Sequence, residues 1–319
     1  MSSPSLSPPH EHLINTNPTP AAVEATLPPA VGALKTSCNH CDALEAEPCL
    51  GCGMVSYCKL DHRVLDIGHD AICREIQEHQ SKIAKLPNED TSQYTARHGL
   101  VSILYEMDTH IAISASLIHA MDVLKHDRRD RYCMREEIPF ILLRLGMDQI
   151  CYDFCVAWTN EEQMFLDPAV TYDFEDAMPF AIPAQDMMNM YEYRFDVENK
   201  EYFPHAVAMV LLKLRVLMRI MSVPETRALN AVKTTVAEQL KTLCNSITGV
   251  IPYFWPKVFD EFKQSQEMPD DEVFDGLDNQ AIRALVLSFP VWKESPGAIE
   301  LLEGMINVPA SLPGAERSS

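Results

Sequence analysis

Glycine is scarce, with 11 in 319 residues. Phosphate-cradling loops need several glycines in fixed register so that backbone N–H groups can approach the ligand, and neither a Walker-type loop nor a dinucleotide fingerprint occurs. A nucleophile elbow and a His-Glu-x-x-His pair are missing as well. Basic side chains are few, 26 Lys and Arg against 46 Asp and Glu, giving a formal charge of -20 and an isoelectric point of about 4.9. Binding a phosphate backbone requires a concentrated basic surface, so this balance argues against nucleic acid as a partner. No long apolar run exists either. The longest, Ala206 to Met221, is broken by Lys213, Arg215 and Arg219, too short and too charged to span a bilayer. The first residues show neither a secretory pattern nor an Arg-rich transit pattern. The expectation is an intracellular chain with reduced thiols, in nucleus or cytosol alike, with no membrane partner.

What the chain does hold is concentrated between residues 38 and 73. Six cysteines and two histidines follow in the order Cys38, Cys41, Cys49, Cys52, Cys58, His62, His69, Cys73, spaced C-x2-C-x7-C-x2-C-x5-C-x3-H-x6-H-x3-C. Zn2+ takes four borderline or soft ligands at tetrahedral corners, and two residues between cysteines let a tight turn aim both sulfurs at one ion. Three residues between ligands do the same on a helix, where positions i and i+4 share a face. Each of the four pairs therefore supplies half of a site, and spacing leaves open which halves combine. The segment has too few large apolar residues for a core of its own. Metal should supply most of its folding free energy, on the order of 10 kcal/mol per ion, and without zinc it should unfold. Within residues 35 to 85, six Lys and Arg stand against eight Asp and Glu, so the segment is no DNA reader.

At these residues the chain resembles the MYND-type zinc finger, and most closely a variant common in fungal proteins. The run Tyr57, Cys58, Asp61, His62, then Asp66, then His69 and Cys73 is where the likeness lies. The resemblance implies two interleaved Zn2+ ions, with Cys38, Cys41, Cys58 and His62 on one and Cys49, Cys52, His69 and Cys73 on the other. It also implies a groove for a proline-containing peptide. His62 stands where the family usually has cysteine, and Arg63 where it has glutamine. Leu65, Asp66 and Ile67 occupy a gap that is one residue short and lacks the usual tryptophan. Some MYND-containing proteins are lysine methyltransferases, but the cofactor motif of the SET fold is absent, and the ligand spacing differs from a RING.

The chain divides into a Pro/Ser-rich arm at 1–34, the finger with its C-terminal helix at 35–86, an all-α domain at 95–308 and a tail at 309–319. The arm holds seven prolines and the pattern Pro4-Ser5-Leu6-Ser7-Pro8, and its composition predicts disorder. Apolar spacing from Leu100 to Leu124 predicts one long amphipathic helix. Glu136 to Gly146 and Met147 to Trp158 read as two helices around a glycine stop, similar to tetratricopeptide-like hairpins and, over about 95–180, to the region after the finger in many fungal MYND-containing proteins. A helix over His205–Met221 leads to a capping box at Ser222 that starts another at about Glu225–Ile247. Further helices are expected at Asn279–Phe289 and, capped by Ser295, through Met305.

Other candidate sites carry weaker patterns. His40 and His79 lie outside the ligand spacing and read as solvated, His119, Asp122 and His126 as a polar stripe, and Lys125 to Arg131 as a solvated loop. Cys133, Cys151, Cys155 and Cys244 read as inert thiols. Asp167, Asp173, Glu175 and Asp176 read as an acidic loop, with one short helix at Asp186–Tyr193. Tyr253, Phe254 and Trp255 read as a packing plug. The function expected is that of a zinc-binding protein-interaction adaptor, not an enzyme. Its partner would be a protein bearing a Pro-x-Leu-x-Pro-type segment. The alternatives are an enzyme with a small-molecule site in the helical domain and a ubiquitin-pathway adaptor.

Overall fold

The computed structural model describes residues 34–41, 43–87, 90–127, 130–159, 203–264 and 277–306. The N-terminal arm with its Pro-x-Leu-x-Pro pattern, the acidic loop, the Asp186–Tyr193 helix and the C-terminal tail lie outside the described residues. Within them the fold is mainly α. Two short strands, β1 (Glu47–Pro48) and β2 (Ser56–Tyr57), pair antiparallel. The first helices are α1 (Leu60–Leu65), α2 (His69–Lys85), α3 (Thr91–Tyr105), α4 (His110–His126), α5 (Met134–Arg144) and α6 (Asp148–Thr159). The rest are α7 (Phe203–Met221), α8 (Arg227–Val250), α9 (Phe254–Gln264), α10 (Asn279–Lys293) and α11 (Ala298–Met305).

The body is built around α7. Sixteen of its nineteen residues are buried, so it is enclosed on all sides by α5, α6, α8, α10 and α11. The charges that interrupt this apolar run have partners inside the protein. Asp148, itself buried, pairs with Arg215 at 3.7 Å and with Arg219. Arg215 also donates to the Leu143 carbonyl at 2.5 Å, and Lys213 lies over the Tyr152 ring at 5.5 Å. No helix of the described residues is long and apolar enough to cross a membrane. Of the aromatic cluster, Phe254 and Trp255 form the plug, Phe254 edge-on to Phe203 with 5.0 Å between centroids and the Trp255 indole donating to the Cys244 carbonyl at 3.2 Å, whereas Tyr253 is exposed and no part of it.

Several expected boundaries are corrected. The apolar period from Leu100 to Leu124 belongs to two helices, because Thr109 caps α4 by accepting the Ala112 N–H at 3.3 Å. Arg144 then takes up the carbonyls left at the end of α3. The two helices fold back on each other, which one straight helix could not do. Thr226, not Ser222, caps α8, and accepts the Leu229 N–H at 3.2 Å. Pro290 lies inside α10 and does not end it, and α11 starts at Ala298, beyond Ser295 and Pro296. The charged stretch before α5 is not simply solvated at its described residues. Buried Asp127 accepts the Arg131 N–H at 2.8 Å, and Asp130 accepts those of Met134 and Arg135 at 2.7 and 3.1 Å. Burial pushes the Asp130 carboxyl up to about 6, against those bonds and the Arg135 charge.

The finger is not an independent bead on a linker. Val55, Tyr57, Ile76, Cys49, Cys52 and Cys73 form one apolar cluster with Leu100 and Leu104 of α3, Met107 of the connection that follows, and Ala112 of α4. Lys35 N–H donates to the Asp108 carbonyl and His110 N–H to that of Lys35, at 2.8 and 2.9 Å. Thr109 Oγ1 donates to the Met54 carbonyl at 2.6 Å. His79, expected to be solvated, instead joins α2 to α3. Its Nδ1 hydrogen-bonds the Ala96 carbonyl at 2.9 Å, and a Cβ on Gly99 would lie 2.4 Å from its ring. Gly99→Ala should therefore displace the ring and destabilise the protein by about 1–3 kcal/mol. Urea unfolding checks this, and His79→Ala in the same chain should recover part of the loss by making room.

Candidate metal centre

Two knuckles and two helical pairs converge in the finger. The first knuckle, Cys38 and Cys41, turns back through a Cys38 N–H bond to the Ala43 carbonyl at 2.8 Å. The second, Cys49 and Cys52, is closed by Cys49 N–H to Val55 and Gly53 N–H to Cys49, at 2.7 and 2.8 Å. Cys58 follows β2, with His62 one turn later on α1. His69 and Cys73 stand one turn apart at the start of α2. All eight candidate ligands are drawn into two groups, Cys38, Cys41, Cys58 and His62, and Cys49, Cys52, His69 and Cys73. In each group the donor atoms lie within 4.8 Å of one another, and the described residues hold no other such group.

The geometry tests whether an ion fits. Metal–sulfur bonds of about 2.3 Å and metal–nitrogen bonds of about 2.0 Å at tetrahedral angles place sulfurs about 3.8 Å apart and a sulfur about 3.5 Å from a nitrogen. In the second group, Cys49 and Cys73 Sγ are 3.8 Å apart, and His69 Nε2 is 3.3 and 3.6 Å from Cys49 and Cys52 Sγ. In the first, Cys41 and Cys58 Sγ are 3.5 Å apart, and His62 Nδ1 is 3.5 and 3.3 Å from Cys38 and Cys58 Sγ. These separations are tetrahedral edges and far exceed a disulfide bond. All ten cysteines are free. Each cluster can hold one metal ion.

The surroundings favour thiolate. Burial resists ionisation of Cys38, but hydrogen bonds from the backbone of Cys58, His40 and Cys41 outweigh it and bring the thiol down to about 5. Cys49 is brought down to about 6 in the same way, against burial, by the Cys52 backbone and the His69 ring. Neighbouring sulfurs cannot all ionise unaided. Burial pushes Cys52 up to about 12, and the hydrogen bond with Cys41 pushes Cys58 up to about 11. A divalent cation supplies the positive charge that four such donors lack, and its binding displaces their protons.

Sequence reading missed the residues that support the ligands. The Gln77 amide donates to Cys73 Sγ at 3.1 Å and the Met54 N–H to Cys52 Sγ at 3.4 Å. Gln77 was findable, since it stands four residues after Cys73 on one helical face. Asp66 accepts from the Asn39 amide and the Tyr57 hydroxyl, both at 2.8 Å, and fastens the turn after α1 to the residues beside Cys38 and Cys58 of the first group. These bonds hold its carboxyl below the usual range despite burial. Gly51 must be glycine, because a Cβ there would lie 2.7 Å from Cys73 Sγ and 2.6 Å from Gln77 Nε2.

Of the remaining candidates, exposed His40 lies beside the first group, its ring 4.7 Å from that of His62, while the histidines and aspartate of α4 are not brought into either group. His119 receives a hydrogen bond from Arg97 at 3.0 Å, Arg97 pairs with Asp122 at 2.8 Å, and His126 stacks on Tyr94. Cys151, Cys155 and Cys244 are in the core. Burial pushes the Cys244 thiol up to about 12 and holds Cys151 well above its ordinary value. No family model matches the chain, and no curated protein or solved structure compared with it does so.

Proposed function

We propose that residues 35 to 86 form a two-zinc finger of the MYND type and that the chain is a protein-interaction adaptor. The finger docks an extended, proline-containing segment of a partner protein, and the helical body offers a second surface. Zinc suits the donor sets, since three thiolates and one imidazole at tetrahedral separations are a structural zinc environment. The thiolates suit a reducing compartment, nucleus or cytosol.

The observation that carries the docking role is where apolar surface is left in water. Leu44, Leu50, Leu60, Val64, Leu65 and Ile67 of the finger are each 60 % exposed or more, and elsewhere among the described residues only Ile118 reaches that level. Four of them, Leu60, Val64, Leu65 and Ile67, lie on or beside α1, and Leu65 and Ile67 stand in the gap that lacks the usual tryptophan. A small module that leaves this much apolar surface in solvent presents a binding face, and extended proline-containing segments dock on such faces. The edge of β1 is a poorer dock, because Pro48 has no N–H to give to an added strand.

A peptide of residues 1 to 12, which contains Pro4-Ser5-Leu6-Ser7-Pro8, is a suitable probe for a zinc-loaded chain beginning at Leu34. Saturable shifts in the finger amides are expected, and Leu65→Asp should weaken binding about tenfold or more while the zinc content stays at two ions. Two bound ions with no shift on peptide addition would remove this peptide class as the partner.

A further inference from the structure

The two metal clusters are unequal. The inner one, Cys49, Cys52, His69 and Cys73, is buried at all four positions and shares its apolar surroundings with Leu100, Leu104, Met107 and Ala112 of the body. In the outer one only Cys38 is buried. Cys41 is exposed, and Cys58 and His62 are half-buried. Helix α1, which carries His62, buries none of its residues. Apart from the outer ligands, its region is held by polar and ring contacts: the Asp66 bonds to Asn39 and Tyr57, an Arg63–Asp70 pair at 2.7 Å, Arg63 over the Tyr57 ring, the His40 ring 4.7 Å from that of His62, and backbone bonds from Asn39 to Ser56 and from His69 to Asp66.

We propose that the outer cluster is an exchangeable zinc site whose occupancy sets the shape of the Leu60–Ile67 surface, while the inner ion and the helical body stay in place. This rests on the zinc-finger reading above. A site opens at the cost of the contacts its opening breaks. Opening the outer site loosens α1 and the turn at 38–41, neither of which has core packing beyond Cys38. Opening the inner site means separating α2 from α3, with the apolar cluster and the His79 bond between them. Access differs in the same direction. A competing chelator must reach the ion itself as a protein donor leaves it, and the outer site is open to solvent at exposed Cys41 whereas the four inner donors are covered.

The test uses the full chain carrying two zinc ions, mixed with excess 4-(2-pyridylazo)resorcinol. Zinc release is read by absorbance, and the body by emission from Trp158, Trp255 and Trp292, all buried. The expected result is two phases of one ion each, on the order of tenfold or more apart in rate, with tryptophan emission unchanged in the first. Protein stopped after that phase should be cut by trypsin after Lys59 and Arg63, where fully loaded protein resists. Cys41→Ser should carry one ion and show only the slow phase. Should that variant fail to fold, the wild-type phases decide alone. Two ions leaving in one phase, or emission changing with the first ion, overturns the inference alone. A starting content below two ions overturns the finger reading and this inference with it.

Discussion

Leu104→Ala is expected to lower the unfolding free energy by about 2–5 kcal/mol and to loosen metal at a site the leucine does not ligate. Leu104 is fully buried on α3, in the cluster that also contains Cys49, Cys52 and Cys73. Truncating it leaves a cavity against the sulfur side of the inner site, and α2 loses part of the surface on which His69 and Cys73 are set. Because the ion and the apolar cluster stabilise the same packing of α2 on α3, the coupling must run both ways. Weakening the core weakens metal retention, and stripping the metal lowers the stability of the body. Leu285→Ala supplies the control. That residue is 1 % exposed in the other core cluster, so it should cost similar stability and leave zinc retention as in wild type. Urea unfolding followed by tryptophan emission, with zinc release into a chelator measured alongside, separates the two effects. Equal zinc retention in both variants would show that finger and body are energetically independent despite their contact.

That coupling was not legible in the sequence, and the reason is physical. Ligand spacing is a local code: a two-residue knuckle and a one-turn helical pair are each dictated by the bonds one ion makes, so all eight candidate ligands can be read from spacing alone. The apolar positions at 100, 104, 107 and 112 carry no mark of what they face, and they read equally well as the side of a helix turned to its own body. The break between α3 and α4 was hidden for a related reason. Helical periodicity runs on through Leu104, Met107 and Ile111, and what interrupts it is a cap by Thr109 together with a guanidinium from α5. The helical stop after Arg144 was readable, since glycine there ends a run of apolar residues. The start of α8 was misread because Ser222 and Thr226 both offer a hydroxyl, and Pro224 between them favours the later one by holding Val223 out of the helical region. In each miss the deciding partner is remote in sequence, or is one of two equivalent local choices.

Arg144→Met should be the most damaging single change outside the metal ligands. Arg144 is 1 % exposed and closes α5 by gathering groups from two other places. It donates to the Tyr105 and Met107 carbonyls at the end of α3, and to Asp108 at 3.0 Å. It also pairs with Glu294 at the end of α10, at 2.7 Å. Methionine fills much of the volume but leaves two carbonyls and a nearly buried carboxylate without their donor. Breaking a buried pair from one side costs about 3–5 kcal/mol, and the freed helix ends meet near Lys35, where the finger is bridged to the body. The loss should depend on pH in a defined sense. Burial already raises the Glu294 carboxyl, with Arg144 pulling it back. Removing Arg144 raises it further. A carboxyl whose folded pKa lies above its unfolded value stabilises the fold most when protonated, and that contribution is lost as pH rises through the folded pKa. The variant should therefore be least stable, relative to wild type, at neutral pH and above, and should recover part of the difference as pH falls towards the ordinary glutamate range. Adding Glu294→Gln should remove that pH dependence and restore part of the stability at neutral pH. Thermal midpoints of the single and double variants across that range provide the measurement. A deficit of the single variant that is the same at every pH would mean that the lost carbonyl bonds, and not the stranded Glu294, account for the damage.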